Sequence, residues 1–595
     1  PISAMLLLRR PALRPSSLRP SSLRPGSLRT ASSLASVAVV RRSALPAATA
    51  ASLAGYISLR LSSQRPAACL KVAQTASSDG TATRSTASSA LSAQPRFLRI
   101  LKLLWRCGEL CLFLGPMLFW NALRKVPLAG KRWVTREMLF QQLVHALARC
   151  GPVGIKWGQW ASTRYDLFED DFCETLGTLT NDAPSHSASH TRAVIESSFG
   201  QPLEAIFDQF DDQPLASGSI GQVHVGTLRR DGSYVAVKVQ HPNLPERLSL
   251  DMAILRAAAD ACSSLFPGLR IGETADQFAT NFEMQLDFRD EARFLEQFRR
   301  NYGGHFWGAI CTFPQPAEGL VAHDVLVETF EPGESVAKFL KRTGERTISC
   351  WRRLDNGKWV AEGAEGAGWE ENDDNAMRSS VALCGIQSYL KMMIWDNLIH
   401  ADLHPGNVLI RMEEIGWMAR LQRWLVLGDT SARVPHIVFL DAGLAASFPE
   451  QIASSVHHFF DAIVQTDGPR LGRAILGLAP SQPNVADEDA FIREVAAKCE
   501  QQKSEFVVGA GNPGKNIRSY MESVRNHNVV LDPTVMVAVM SIMVLEGWQC
   551  RLDPEISVMD CLSEAIGGGI FGRMTQLNQW VQDAKERINK ALGRE

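Results

Sequence analysis

Apolar residues along this chain fall into runs whose spacing predicts particular elements. From Tyr234 to Val239 the chain reads Tyr-Val-Ala-Val-Lys-Val, an alternation that predicts a strand carrying Lys238 among apolar neighbours. Val325 to Phe330 predicts a further strand, running through Glu331-Pro332-Gly333 into a hinge. Helical spacing covers Phe282–Phe298 and Gln387–Leu398, the latter amphipathic. Gly151-Pro152 opens another helix, since Pro is tolerated in a first turn. On it Lys156 and Gln159 stand three apart on one face, with Gly158 between them to let another backbone approach. By spacing alone that face reads first as a solvated one. Two longer apolar stretches fall short of the ~20 residues a spanning helix needs. Phe97–Trp120 is broken by Lys102, Arg106, Glu109 and Gly115-Pro116, and predicts a helix that docks on the domain or on a membrane surface. Val535–Leu545 stops at Glu546 and predicts a buried core helix.

Composition narrows the picture. A chain of 595 residues, 45% hydrophobic and 21% charged, is long enough for two or more cores, or for one bilobal domain with extensions. A net charge of -1 gives no reason to expect a nucleic-acid partner. The twelve Cys contain no C-x-x-C pair, so neither a zinc module nor a disulfide framework is indicated. Residues 1–93 are rich in Arg, Ser, Ala and Leu, with no acidic residue before Asp79. That composition predicts an organelle transit peptide, with a plain disordered tail as the alternative. Because the chain starts at Pro1, an incomplete or processed N-terminus is expected, with Met5 as a candidate start. Composition does not separate mitochondrion from plastid.

The chemistry concentrates in His400-Ala-Asp-Leu-His-Pro-Gly-Asn407, which sets Asp402 five residues before Asn407 and ahead of an apolar run. Val438-Phe-Leu-Asp-Ala-Gly443 follows downstream. The two segments give the order of a kinase-type nucleotide site: Asp402 faces the attacking group, and Asn407 and Asp441 hold Mg²⁺. Upstream, Ala216-Ser-Gly-Ser-Ile-Gly-Gln222 is a small-residue turn between extended runs. Its candidate nucleotide contacts are Ala216, Ser217, Gly218, Ser219, Gly221 and Gln222, although a plain hairpin reads the same way. Lys238 stands in the position that grips ATP phosphates, with Glu291 as its candidate carboxylate partner. Glu328, on the strand entering the hinge, is the candidate adenine contact. A shared zinc on His400 and His404 is disfavoured, because Pro405-Gly406 ends any helix and Ala401 replaces the catalytic Glu of zinc proteases. After Asp441 there is no Ala-Pro-Glu motif and no long activation segment, which argues against an ordinary protein kinase.

These residues together resemble the UbiB family, the aarF-domain-containing atypical kinases, over about Arg96 to Pro554. Lys156-Trp-Gly158-Gln159 matches the family's N-terminal motif, Ser219 to His224 the end of its nucleotide loop, and His400 to Asn407 its catalytic loop. The resemblance implies an α+β, bilobal protein-kinase-like fold with an N-terminal helical extension. It implies an extension over 94–200, a small lobe over 201–335 and a large lobe over 336–595, with insertions near 344–376 and 412–435. It also implies catalytic Asp402, Lys238 and Glu291, metal ligands Asn407 and Asp441, and regulatory Lys156, Gln159 and Asp287, the first two on a helix that folds over the cleft and blocks protein substrates. The implied cofactors are ATP and Mg²⁺, and the implied role is ATPase or small-molecule/lipid kinase support of coenzyme Q biosynthesis or mitochondrial lipid homeostasis. Implied partners are a quinone precursor or lipid, a peripheral membrane surface and a coenzyme Q biosynthetic complex. Two departures stand out: Ser217 and Gly218 interrupt an alanine-rich loop, and Gln285 replaces the Glu of a Glu-x-Asp motif ending at Asp287. Both are similar to the mitochondrial aarF-domain-containing kinase 2 subgroup. A nucleotide-regulated pseudokinase scaffold and an aminoglycoside-type phosphotransferase are the competing readings.

Overall fold

The computed structural model describes residues 96–566 apart from internal stretches, the longest being 125–134, 342–349, 363–372 and 425–432. The expected transit segment 1–93 lies outside the described residues.

In the small lobe, β1 (Phe207–Phe210), β2 (Ala216–Ser217), β3 (Gly221–Leu228), β4 (Tyr234–Gln240), β6 (Pro316–Val321) and β7 (Val325–Thr329) form one antiparallel sheet, ordered β1-β3-β4-β7-β6 with β2 added to β3. The alternation in β4 works as a strand pattern should. Val235, Val237 and Val239 join Val325 and Val327 in one core, which leaves Ala236 and Lys238 on the opposite face. The helix expected over Phe282–Phe298 is two helices, α7 (Ile271–Met284) and α8 (Phe288–Asn301). The break lies at Asp287, whose side chain accepts the Arg289 backbone N–H and caps α8. Helix α8 then packs against β6 and β7 and brings Glu291 beneath the sheet.

The large lobe is centred on β12 (Val408–Glu414) and β13 (Arg433–Phe439), paired antiparallel from Val408↔Phe439 to Glu414↔Arg433. They sit in a second sheet, ordered β10-β9-β12-β13-β5, with β8 (Glu334–Ser335) also on β12. Here β5 is Cys311–Thr312, β9 Cys350–Arg353 and β10 Trp359–Glu362. The stretch near 344–376 is therefore only partly a surface insertion: β9 and β10 form a hairpin whose Cys350 pairs with Met412, and α9 (Asp373–Leu390) starts inside it. Likewise β12 and β13 extend into both ends of 412–435. Much of each stretch lies outside the described residues.

The amphipathic helix expected over Gln387–Leu398 is the end of α9 followed by one π-helical turn, Lys391–Trp395. From Ile386 to Met393 every residue is buried, so the segment has no solvent face. The polar group responsible is satisfied internally: Lys391 Nζ lies 2.6 Å from both Asp396 carboxylate oxygens, over the Tyr302 and Trp307 rings. The Val535–Leu545 run belongs to α14 (Pro533–Leu552), capped by Asp532 and long and apolar enough by composition to cross a membrane. Val535, Met536, Ala538 and Leu545 nonetheless lie in the lobe's main core, and Tyr389 Oη donates to the Ala538 carbonyl at 2.9 Å.

The helical extension comprises α1 (Arg96–Arg124), α2 (Arg136–Cys150), α3 (Pro152–Ser162), α4 (Asp170–Leu176) and α5 (Ala188–Phe199). Charges that interrupt the first apolar run dock α1 on α6 (Leu244–Leu265). Arg106 Nε lies 2.5 Å from Asp251, another guanidinium N–H donates to the Cys150 carbonyl at 2.6 Å, and Lys102 pairs with Glu246. Helix α3 packs through Val153, Trp157 and Trp160 on Leu244, Met252, Phe278 and Phe282, in a cluster that also takes in Ile220 of the small-residue turn. Two lobes, a strand leading into a connecting hinge and a helical extension make up an α+β, bilobal kinase-like fold.

Candidate functional site

Packing α3 against Ile220 brings the extension to the mouth of a cleft between the lobes. The cleft is open to solvent and is lined by Lys156, Gly218–Gly221, Lys238, Gln285, Glu291, Asp402, Asp441, Gly443 and Leu444. Residues from the extension, the small lobe and the large lobe thus meet in one place.

The small-residue turn is closed by the Gly218 N–H donating to the Gly221 carbonyl at 2.9 Å. Gly221 is required sterically, because a Cβ there would lie 2.5 Å from the Val239 carbonyl oxygen. The turn does not use all of the residues expected of it. Ala216 is exposed and paired with Val223, outside the cleft lining. Gln222 is fully buried and faces away, with its side-chain amide bonded to the His186 backbone N–H and to His224. Alternation explains the correction: the residue after Gly221 must point to the other side of β3.

A histidine chain braces the turn from behind, and sequence inspection missed it. His241 Nε2 donates to the Gly218 carbonyl at 2.8 Å, so its Nδ1 must accept from His186 Nδ1, also at 2.8 Å. His186 Nε2 then accepts from Thr191 Oγ1 at 3.1 Å. Burial pushes the pKa of His186 down to about 4, helped by His241, and lowers His241 and His224 as well. These three histidines come from separate segments, and no local spacing signals the cluster.

Lys238 is the electrostatic centre. Its Nζ lies 2.9 and 2.7 Å from the Glu291 oxygens and 3.1 Å from Asp441 Oδ1. Burial alone would lower its pKa, but Asp441 and Glu291 override that and hold it above the usual lysine range. Burial pushes Glu291 up to about 7 against the pull of Lys238, and the neighbouring Asp441 charge adds to the rise. Burial would raise Asp441 too, but Lys238 and Lys156 hold it below the carboxylate range. Asp441 has a left-handed backbone, φ 53°, a strained state of a kind that costs about 1–3 kcal/mol and recurs at functional sites.

The catalytic-loop segment is tied to the Asp441 strand end. His400, on β11 (Ile399–His400), donates from Nε2 to the Leu440 carbonyl at 3.0 Å and accepts the Asp402 N–H on Nδ1. Burial keeps it neutral. His404 accepts the Gly406 N–H at 3.0 Å and so braces the loop. Asn407 donates its side-chain N–H to the Asp402 carbonyl at 3.1 Å, which leaves Oδ1 as its free acceptor face. One amide oxygen and one ionised carboxylate are the hard donors a Mg²⁺ ion accepts alongside phosphate and water, so Asn407 and Asp441 fit it.

The remaining expected residues divide. Lys156 Nζ lies 3.6 Å from Asp402 and, against the effect of burial, keeps that carboxyl below its usual range. Gln159 lies outside the cleft lining and reaches the Leu179 carbonyl at 3.4 Å. Gly158 admits the Leu179 and Leu147 side chains, where a second backbone was expected; Gly154 is the one set against backbone, at the Leu147 carbonyl. Asp287 caps α8 and pairs with Arg289 at 2.6 Å, so no interaction ties it to Lys156. Glu328 sits on β7 opposite Ala236.

The model for the ABC1 atypical kinase-like domain matches residues 178–474. The chain thus carries a segment similar to the ABC1 atypical kinase-like domain. It is 27% identical over 474 residues to the probable serine/threonine-protein kinase abkC of Dictyostelium discoideum, covering 71% of this chain and 64% of that one. It is also 27% identical over 464 residues to the ABC1 family protein YPL109C, mitochondrial, of Saccharomyces cerevisiae, covering 71% and 66%. With the probable protein kinase UbiB of Shewanella loihica it shares 26% over 423 residues, covering 70% and 67%. The chain therefore spans slightly under two thirds of the first two relatives. The ABC1 match takes in the turn, Lys238, Glu291, Asp402, Asn407 and Asp441, and leaves Lys156 outside it. A kinase-like fold implies the use of ATP.

Proposed function

We propose that this chain is an ABC1-family protein that binds MgATP in the cleft and passes the terminal phosphoryl group to water or to a small lipid-like or quinone-precursor hydroxyl, in support of coenzyme Q biosynthesis or mitochondrial lipid homeostasis. One observation carries the reading: Lys238 lies 3.1 Å from Asp441 and 2.7 Å from Glu291, in a cleft shared with Asp402 and the Gly218–Gly221 turn. The turn's backbone N–H groups and Lys238 would bind the phosphates, and Asn407 and Asp441 would hold Mg²⁺. Bound there, the ion would neutralise charge on the phosphates. Asp402 would orient the acceptor and take its proton. Lys156, beside Asp402, narrows the approach to a small acceptor.

The exposed apolar residues Phe97, Leu101, Trp105 and Leu112 of α1 suit a peripheral membrane surface. The name of the similar yeast protein favours a mitochondrion over a plastid, and we place the chain on its inner membrane or matrix side. The test is a thermal-shift titration and an ATP-turnover assay. MgATP is expected to raise the melting temperature of the wild-type chain, and Asp441→Ala to abolish the shift. No shift at millimolar ATP refutes the reading. A nucleotide-regulated scaffold is the second reading, favoured by the Lys156–Asp402 contact. It predicts normal MgATP binding in Asp402→Asn and no turnover even in the wild type.

A further inference from the structure

Glu328 is a buried carboxyl that the phosphate-handling residues leave out. It pairs across the sheet with Ala236, and directly paired residues present their side chains on the same face. Lys238, two residues from Ala236, shares that face, whereas Val235, Val237, Val325 and Val327 fill the core on the other. Glu328 therefore stands on the strand next to Ala236 and Lys238, outside the residues that line the cleft and one residue before β7 ends at the hinge. Its Oε2 is shielded from solvent and has no hydrogen-bond partner among the described residues. Lys238 does not satisfy it, because the Lys238 ammonium is engaged by Glu291 and Asp441.

Burial first, and the Glu291 charge next, raise this carboxyl well above its ordinary range, which favours its protonated form. A protonated carboxyl offers one acceptor and one donor side by side. That pair complements an amino N–H beside a ring nitrogen, as on a 6-aminopurine, and a buried polar atom left without a partner is otherwise costly.

We propose that the Glu328 side chain is a specificity-determining contact that reads the amino edge of the purine base, so that the site selects 6-aminopurine nucleotides. This rests on the nucleotide reading above and adds the base to it. The experiment compares binding of ATP and of purine riboside triphosphate, which lacks only the exocyclic amine, to the full chain with Mg²⁺ by calorimetry. The wild type is expected to prefer ATP by about tenfold or more, the penalty for leaving a buried hydrogen-bonding group unpaired. Glu328→Gln keeps a donor and an acceptor and should keep the preference, while Glu328→Met should bind the two within about twofold of each other, given the loss of that bond. Equal binding by the wild type overturns the inference without any variant, as does an undiminished preference in Glu328→Met. If the wild type binds neither nucleotide, the nucleotide reading falls and takes this inference with it.

Discussion

One ammonium facing several carboxylates makes the Lys238 cluster asymmetric, and mutation can expose that asymmetry. Lys238→Met keeps the apolar stem and deletes the charge. It leaves Glu291, 3% exposed, buried beside Asp441 without the ammonium that both carboxylates face. Breaking a buried pair in this way costs about 3–5 kcal/mol. Glu291→Gln is different, because the amide oxygen can still accept from Lys238, and Asp441 remains 3.1 Å from the ammonium. The Asp441 side chain is 45% exposed, so solvent screening weakens its pull, but losing the Glu291 charge also removes repulsion between the two carboxylates. The loss expected is about 1–2 kcal/mol, that of one charged hydrogen bond.

Urea denaturation at pH 7, with slopes compared to check that the transition is unchanged, measures both variants. Lys238→Met should be the worse by about 2 kcal/mol, the gap between those two penalties. pH gives a second readout. The folded Glu291 pKa of about 7 exceeds its ordinary 4.5, so its contribution is full below about 4.5 and is lost as pH rises through 7. Wild-type stability should therefore fall across that window, and Glu291→Gln should remove that part of the slope. An equal or larger loss in Glu291→Gln than in Lys238→Met refutes the reasoning.

Gly221→Ala should destabilise the small lobe by about 1–3 kcal/mol, since the added Cβ meets backbone that cannot give way: the Val239 carbonyl oxygen at 2.5 Å, the Val239 carbonyl carbon at 3.0 Å and the Gln240 Cα at 3.2 Å. A melting temperature within error of wild type counts against that. His186, lowered from 6.5 to about 4, contributes stability that is complete above pH 6.5 and is lost as pH falls through 4. His186→Asn should flatten the fall in melting temperature between pH 6.5 and 4, and an unchanged profile contradicts the role given to that chain.

The motifs were legible because their chemistry is written in local order. Alternation in β4 put Lys238 opposite three valines, and the two segments ending at Asn407 and Asp441 already named the large-lobe side of the cleft. Errors arose where local pattern competes with a cap or an internal partner. Asp287 breaks what periodicity reads as one helix, and Lys391 with Asp396 lets a charged segment run through the core. Gln222 and Gln159 were placed by adjacency to residues that face the cleft, yet strand alternation and the Leu179 carbonyl turn them elsewhere.

By itself, then, the sequence determined the kind of site: a small-residue turn, a strand lysine, and an Asp–Asn–Asp series in kinase order. Those follow from short-range geometry, in which the number of residues between two groups sets which way each can point. Only the tertiary structure decided which charges meet. Lys156 beside Asp402, the excess of carboxylates around Lys238, the histidines behind Gly218 and the unpartnered Glu328 oxygen each join segments far apart in the chain. Their protonation depends on burial and on neighbours supplied by other elements, quantities that no spacing along the backbone records.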